Sequence, residues 1–195
     1  MKHSRWIVFL LIVLALPSLG LAASYQEAPM LAERVADGEI PSVQERLPDS
    51  DYVYVVTPNE STGQYGGTLQ VVTMSPTGDG DDNMLASPSS LVKPSADGSE
   101  VIPEVASAVE PSEDASVWTV HLRRGMKWSD GHPFTADDIV FWYEDILMNE
   151  ELTPVVSAVY RVDGEIMELV KIDDYTVEFR FVDPNPFFGN LPSSA

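Results

Sequence analysis

The stretch from Trp118 to Leu147 constrains the fold of this chain most, because a strand, a tight turn and a helix follow one another in it without slack. Apolar Trp118, Val120 and Leu122 alternate with polar or charged neighbours, which is the period of a half-buried strand. The sequence SDG at 129–131 then supplies turn chemistry, since short polar side chains bond nearby backbone and glycine adopts positive φ readily. The segment is therefore predicted to form one strand-turn-helix unit.

The helix of this unit is predicted to be capped by Thr135. Asp138, three residues further on, completes a capping box in which Asp replaces the usual Glu or Gln. The negative charges of Asp137 and Asp138 in the first turn also suit the helix dipole. Five apolar residues then share one face at helical spacing, namely Ile139, Trp142, Tyr143, Ile146 and Leu147. The pattern predicts an amphipathic helix.

This segment resembles the most recognisable stretch of the extracellular solute-binding proteins of family 5, the peptide, dipeptide and nickel receptors of ABC importers. Their pattern runs roughly W-x-V-x-L-R-x-G-x-K-W-S-D-G-x-P-F-T-A-D-D-V-x-F, and the chain matches it from Trp118 to Phe141, with Ile139 in place of Val. A second stretch, from Pro29 to Pro48, resembles the extension P-x-L-x-x-x-V-x-x-G-x-(L/I)-P-x-V-x-x-R-L-P of a subset of the family. The resemblance covers residues 24–191 but only the N-terminal part of the family.

The resemblance implies an α/β fold of the type II periplasmic binding protein kind, present here as an incomplete N-terminal lobe with a mixed sheet. Two lobes of such a protein close around a ligand at a hinge and deliver it to permease subunits in the membrane. The implied function is therefore that of the periplasmic substrate-binding component of an ABC importer for oligopeptides, acting as a monomer and not as an enzyme. The alternatives are a non-peptide solute, such as an oligosaccharide or a metal complex, and a non-transport interaction protein of the cell envelope.

Residues 1–23 are predicted to form a secretory signal peptide with a basic start, an apolar run and small residues at Ala22 and Ala23 for cleavage. The apolar run is shorter than the roughly 20 residues of a membrane span, so an uncleaved anchor is the less favoured alternative. The chain has no cysteine, and lipoprotein anchoring uses a cysteine at the cleavage site. The expected location is therefore the periplasm, without a lipid anchor.

The charge of the chain limits its partners. Its 11 Lys and Arg residues stand against 31 Asp and Glu residues, a formal net charge of −20. Nucleic acid and acidic lipid surfaces are not expected partners, because phosphate groups are bound by basic faces. Acidic surfaces mostly provide solubility, and we favour that interpretation over steering of a cationic ligand.

The mature chain is predicted to comprise an N-terminal extension at 24–66 and a truncated N-terminal part of lobe I at 67–195. The extension is expected to pack on the domain as an arm, the alternative being a disordered spacer. Within the lobe the sequence predicts a first strand at 68–74, a connection at 84–93 that carries a helix in the family, and a hairpin at 166–182. We expect the sequence to be a truncated gene product or a part of a longer protein, and favour this over a self-sufficient minidomain.

No catalytic constellation, cofactor or metal site is expected. His121 on the outer face of the predicted strand and His132 in the turn are interpreted as surface histidines. Core packing is favoured over a ligand-stacking platform for the aromatic residues between 118 and 143. Ligand binding is predicted at Thr73, Met74 and Ser75, because strand ends that face an inter-lobe crevice are common ligand positions.

Overall fold

The computed structural model describes residues 25–58, 61–68, 89–95 and 97–190. Its helices are α1 (Ala32–Ala36), α2 (Val43–Arg46) and α3 (Ala136–Phe141), the last continued by a π-helical segment at Trp142–Leu147. Single 3-10 turns lie at Ser50–Tyr52, Ala158–Tyr160 and Phe188–Asn190. The strands are β1 (Val92–Pro94), β2 (Val101–Pro103), β3 (Ala106–Pro111), β4 (Val117–Leu122), β5 (Arg161–Val162), β6 (Glu165–Ile166), β7 (Glu168–Asp173) and β8 (Thr176–Arg180). No helix within these residues is long and apolar enough to cross a membrane.

A four-stranded sheet of order β3-β4-β8-β7 forms the centre, and each neighbouring pair in it is antiparallel. The predicted alternation of β4 is confirmed, since Trp118, Val120 and Leu122 are all buried on the same face. Trp118 lies opposite Phe179 of β8, and Val120 lies opposite Val177. These cross-strand pairs place the core on one face of the sheet.

The predicted turn and helix cap that follow β4 are also confirmed. Gly131 has a φ of +91°, and its N–H donates to the carbonyl of Trp128 at 2.9 Å. The Thr135 hydroxyl accepts the Asp137 N–H at 3.3 Å, while the Thr135 N–H donates to Asp138 Oδ2 at 2.8 Å. Asp138 therefore closes the capping box in place of the usual Glu.

The amphipathic helix departs from the prediction in its second half. It is α-helical only to Phe141 and then π-helical from Trp142, and the Met148 N–H accordingly reaches the carbonyl of Tyr143, five residues back, at 2.9 Å. Among the residues of the predicted face only Leu147 is fully buried, and the other four are half-buried. A 3.6-residue period cannot reveal such a widened turn, which here lets Tyr143 donate from its hydroxyl to the Met167 carbonyl at 3.1 Å.

The predicted hairpin near the end of the chain is confirmed with shorter strands. β7 and β8 pair across the turn at 173–175, where the Tyr175 N–H donates to Asp173 Oδ1 at 2.7 Å. The register shifts between Lys171 and Asp173, as at a bulge. The first predicted strand, at 68–74, lies outside the described residues except for Thr68. The helical connection predicted at 84–93 is wrong at its end, since Lys93 belongs to β1 and pairs with Ile102.

The segment 25–58, called the arm below, contacts the loop that follows β4. The Asp49 N–H donates to the Arg124 carbonyl at 3.0 Å, and Arg123 Nη1 donates to the Tyr52 carbonyl at 3.0 Å. Lys127 Nζ donates to the Glu45 carbonyl at 2.5 Å. These contacts use backbone groups of the arm, whereas its apolar residues 55 and 56 remain exposed. The ring of Tyr54 also packs against basic side chains, with its centroid 4.8 Å from Lys93 Nζ and 5.2 Å from Arg123 Cζ. The arm is therefore held mainly by basic side chains of the domain.

The two hairpins formed by β1–β2 and β3–β4 close with the same turn sequence, S-x-D-x-S. In the second, Asp114 Oδ1 accepts the hydroxyl of Ser112 at 2.8 Å and both the N–H and the hydroxyl of Ser116, at 3.0 and 2.8 Å. These bonds, of which that from the Ser116 N–H contributes most, lower the pKa of Asp114 from 3.8 to about 2. Asp97 accepts the equivalent bonds, and the hydroxyl of Ser95 does most to lower its pKa to about 2. Both turns therefore use the ionised carboxylate as their acceptor.

We expect the stability of the protein to fall on acidification from about pH 4 to about pH 2. The pKa of Asp114 is lowered in the folded state, so its contribution is complete above 3.8 and is lost as the pH falls through about 2. Asp114→Asn should lower the urea midpoint at neutral pH and flatten the acid limb of the profile. Asp145→Asn, at an exposed position of the π segment, is the control and should leave the limb unchanged. Identical acid limbs in the wild type and Asp114→Asn would contradict the assignment.

Candidate functional site

The residues predicted to bind ligand, Thr73, Met74 and Ser75, lie outside the described residues. Their role stays a prediction. The candidate site is therefore built from the cavities that the described residues form.

One of these cavities has a volume of about 520 Å³ and lies between α3, the π segment and the inner face of the sheet. Aromatic side chains from four separate parts of the chain line it, and we call it the aromatic cavity. Its rim includes Ser89, Ser90, Met126 and Lys127. Its aromatic members are Trp128, Phe134, Trp142, Tyr160, Phe179 and Phe188.

The aromatic rings of the cavity are fixed by edge contacts. Trp128 and Phe134 have centroids 5.3 Å apart with planes at 76°, and Trp142 and Tyr160 have centroids 5.3 Å apart at 62°. Such geometries suit the quadrupoles of aromatic rings. Phe188 contributes to the floor of the cavity and is 2% exposed. The cavity wall is thus an extension of the hydrophobic core.

Trp128 differs from the other members because it is 51% exposed. Its indole N–H donates to Asp138 Oδ1 at 3.0 Å, so the same carboxylate caps α3 and orients the ring. The prediction of core packing for the aromatic residues is therefore wrong for Trp128, and also for Phe141, which is 58% exposed. An exposed, oriented indole at a cavity edge can stack on an apolar ligand surface.

The cavity has few polar groups, and among them the Tyr160 hydroxyl is an uncharged hydrogen-bond donor. Burial raises the pKa of the Tyr160 phenol, so its hydroxyl stays protonated at neutral pH. No hydrogen bond to that hydroxyl is formed within the described part of the chain. The ammonium of Lys127 at the rim is already bonded to the arm. The cavity therefore offers apolar surface with a hydroxyl donor, which suits binding better than proton transfer.

The acidic and histidine residues that the sequence singled out have structural surroundings. Asp137 pairs with Lys171 at 2.7 Å, and Asp138 forms the cap. His132 is exposed in its turn, and His121 Nδ1 lies 3.4 Å from Thr176 Oγ1. No group of three metal-ligating side chains occurs in residues 25–58, 61–68, 89–95 and 97–190. The recognisable motif thus builds the fold and holds the arm.

The chain is similar to known proteins along most of its length. The model of the bacterial extracellular solute-binding proteins, family 5 Middle, matches residues 100–195. A curated relative, the periplasmic alpha-galactoside-binding protein of Rhizobium meliloti strain 1021, is 34% identical over 180 residues. That match covers 83% of this chain and 26% of the relative.

Two solved structures have the same fold over most of the chain. The oligopeptide-binding protein OppA matches with a TM-score of 0.74 and 38% identity, over 86% of this chain and 25% of that protein. The periplasmic binding protein MelB of Agrobacterium fabrum C58, in complex with stachyose, matches with a TM-score of 0.59 and 26% identity, over 88% and 29% of the two chains. The chain therefore spans about a quarter of the length of these proteins.

The match of the family model, the long motif that begins at Trp118 and the likeness to OppA all lead to one assignment. The fold is that of part of a type II periplasmic binding protein. The chain belongs to the extracellular solute-binding proteins of family 5.

Proposed function

We propose that the chain acts in the periplasm as the substrate-binding component of an ABC importer, together with permease subunits in the membrane. The observation that carries this proposal is the likeness to OppA over 86% of the chain, at 38% identity. The proposed signal peptide at 1–23 agrees with the names of the relatives, which describe periplasmic proteins. The aromatic cavity supports a binding role because pockets for small ligands are mostly apolar, with a few placed polar groups.

An oligopeptide is the first candidate ligand. OppA, the solved structure described above with the higher TM-score, is named for oligopeptide binding. An apolar peptide side chain would fit against Trp142 and Phe179, and the Tyr160 hydroxyl could donate to a peptide carbonyl.

An oligosaccharide with α-galactosyl units is the second candidate. The Rhizobium meliloti relative is named for alpha-galactoside binding, and the MelB structure contains stachyose. A sugar ring presents a face of C–H groups, and the exposed indole of Trp128 presents a flat apolar surface to receive it. The same hydroxyl of Tyr160 could bond a sugar hydroxyl.

Thermal unfolding with each ligand tests the proposal, because a ligand that binds only the folded state raises the unfolding temperature. Saturation at 100 times Kd should stabilise the protein by about 2.7 kcal/mol. Mixed tripeptides and stachyose are the two probes, and the one that stabilises the protein identifies the ligand class. If neither does so while a membrane protein of another class co-purifies, the protein is an envelope interaction protein and the importer proposal is wrong.

We expect Trp128→Ala to weaken binding of the stabilising ligand by about 0.5–1.5 kcal/mol, the usual contribution of an aromatic stacking contact. Phe141→Ala is the matched control. Phe141, the last residue of α3, is about as exposed as Trp128 but does not line the cavity. Calorimetric titration of both variants provides the comparison. Equal affinity in the two variants would remove the aromatic cavity from the binding site.

A further inference from the structure

Arg124 differs from the other basic residues of this acidic chain. Eight of the nine Lys and Arg side chains in the described residues donate a hydrogen bond: Arg34, Arg46, Lys93, Arg123, Lys127, Arg161, Lys171 and Arg180. The guanidinium of Arg124 has no hydrogen bond or ion pair within that part of the chain. Within the described residues the five N–H donors of this guanidinium are therefore not used by another side chain or carbonyl.

The guanidinium of Arg124 is nevertheless held in place. It lies 4.8 Å from the centroid of the Tyr175 ring, at the distance of a cation–π contact. The backbone of the same residue is fixed by the arm, because its carbonyl accepts the Asp49 N–H at 3.0 Å. The ring contact and the backbone bond therefore reduce the conformational entropy that this exposed side chain loses when it binds a ligand.

Arg124 lines a second, smaller cavity of about 190 Å³, which we call the arm cavity. It lies between Tyr52 of the arm and the adjacent ends of β4 and β8, with His121 and Thr176 in its wall. The hydroxyl of Tyr52 has no hydrogen bond within the described residues. Since one water takes up about 30 Å³ in the liquid, the cavity has room for a group of a few heavy atoms.

Two acidic groups lie near the arm cavity. Asp173 accepts the Tyr175 N–H at 2.7 Å, and this bond does most to lower the pKa of that carboxyl. The positive charge of Arg124 lowers the same pKa further. Glu110 Oε2 lies 4.0 Å from His121 Nε2 on the outer side of β3. Neither carboxylate forms an ion pair with Arg124, so neither accepts a hydrogen bond from its guanidinium.

We propose that the arm cavity is a binding site for a carboxylate group. The planar fork of arginine matches the two oxygens of a carboxylate, and two parallel bonds of that kind are stronger than neutral hydrogen bonds. Arg124 provides the fork, and the Tyr52 hydroxyl provides a further donor from the arm. The site is separate from the aromatic cavity and does not rest on the importer proposal. The carboxylate could belong to a small organic acid or to the C-terminus of a peptide.

Titration of the full chain, followed through backbone amide shifts of residues around the arm cavity, tests the site. Sodium acetate, trialanine and trialanine amide are the probes, with sodium chloride at equal ionic strength as the reference. We expect saturable shifts with a Kd on the order of 1 mM for at least one free carboxylate. Binding of acetate alone identifies a small acid, and binding of trialanine but not its amide identifies a peptide terminus. Absence of saturation with both, or equal shifts with chloride, overturns the proposal.

Variants distinguish the paired N–H donors of the Arg124 guanidinium from a general effect of positive charge on binding. Arg124→Gln should weaken binding at least tenfold, and Tyr52→Phe should weaken it about threefold. Arg180→Gln, which removes the same charge from an arginine paired with Glu178, should change nothing. If Arg124→Gln loses its circular dichroism spectrum, Arg124→Lys replaces it, since the lysine keeps the charge without the fork. Equal weakening in Arg124→Gln and Arg180→Gln contradicts a site at Arg124.

Discussion

Replacement of Gly125 by alanine should destabilise the chain by about 2–5 kcal/mol. Gly125 has a φ of +78°, and a left-handed conformation costs a residue with a side chain about 1–2 kcal/mol. The added Cβ would also lie 2.5 Å from Asp49 Oδ1 and 2.6 Å from Asp49 N. The Asp49 nitrogen cannot move aside without breaking its bond to the Arg124 carbonyl. Overpacking of this kind adds about 1–3 kcal/mol.

Gly131→Ala is the matched control for this prediction. Gly131 also has a positive φ, of +91°, but nothing lies within 4 Å of the position of its added Cβ. Its replacement should therefore cost only the conformational part, about 1–2 kcal/mol. Urea denaturation followed by tryptophan fluorescence measures both variants. Equal losses would show that the contact between the arm and the loop after β4 contributes nothing to stability.

The contrast between these two glycines shows what could be predicted from the sequence. The turn at Gly131 was predicted because its signals are local: Ser, Asp and Gly adjoin one another between a strand and a helix cap. The alternation in β4 and the cap at Thr135 were predictable for the same reason, since each depends on neighbours within a few residues. Local patterns of this kind also carried the family resemblance.

The contacts that build the candidate sites could not be predicted in this way. Asp49 meets Gly125 across 76 positions of sequence, and no periodicity reports such a meeting. The aromatic cavity likewise joins Trp128, Tyr160 and Phe188 from three separate segments. That the guanidinium of Arg124 forms no hydrogen bond within the described residues can be recognised only once the partners of the other basic residues are known. All three depend on tertiary contacts, and a single sequence does not reveal such contacts through a periodic pattern.

The adjacent residues Phe187 and Phe188 show most clearly that such contacts cannot be predicted from the sequence. Both belong to a segment rich in Pro and Asn, where no period distinguishes an inward from an outward side chain. The structure buries Phe188, which is 2% exposed, and leaves Phe187 70% exposed. Phe188 packs against four other rings, with centroid distances of 5.0 Å to Phe179, 5.0 Å to Phe181, 6.0 Å to Trp118 and 6.4 Å to Tyr160. It is therefore the centre of the aromatic core.

Phe188→Ala should destabilise the protein by about 3–5 kcal/mol, because it removes buried surface and leaves a cavity among rings that other elements hold in place. Phe187→Ala changes the same residue type one position earlier and should stay within about 0.5 kcal/mol of the wild type. Urea denaturation gives both free energies of unfolding, and the near-ultraviolet circular dichroism of the protein, to which Trp118 contributes, should change only in Phe188→Ala. Comparable losses in the two variants would mean that the last described segment does not pack on the sheet. The aromatic cavity would then lose its floor, and the stacking site proposed at Trp128 would have to be abandoned with it.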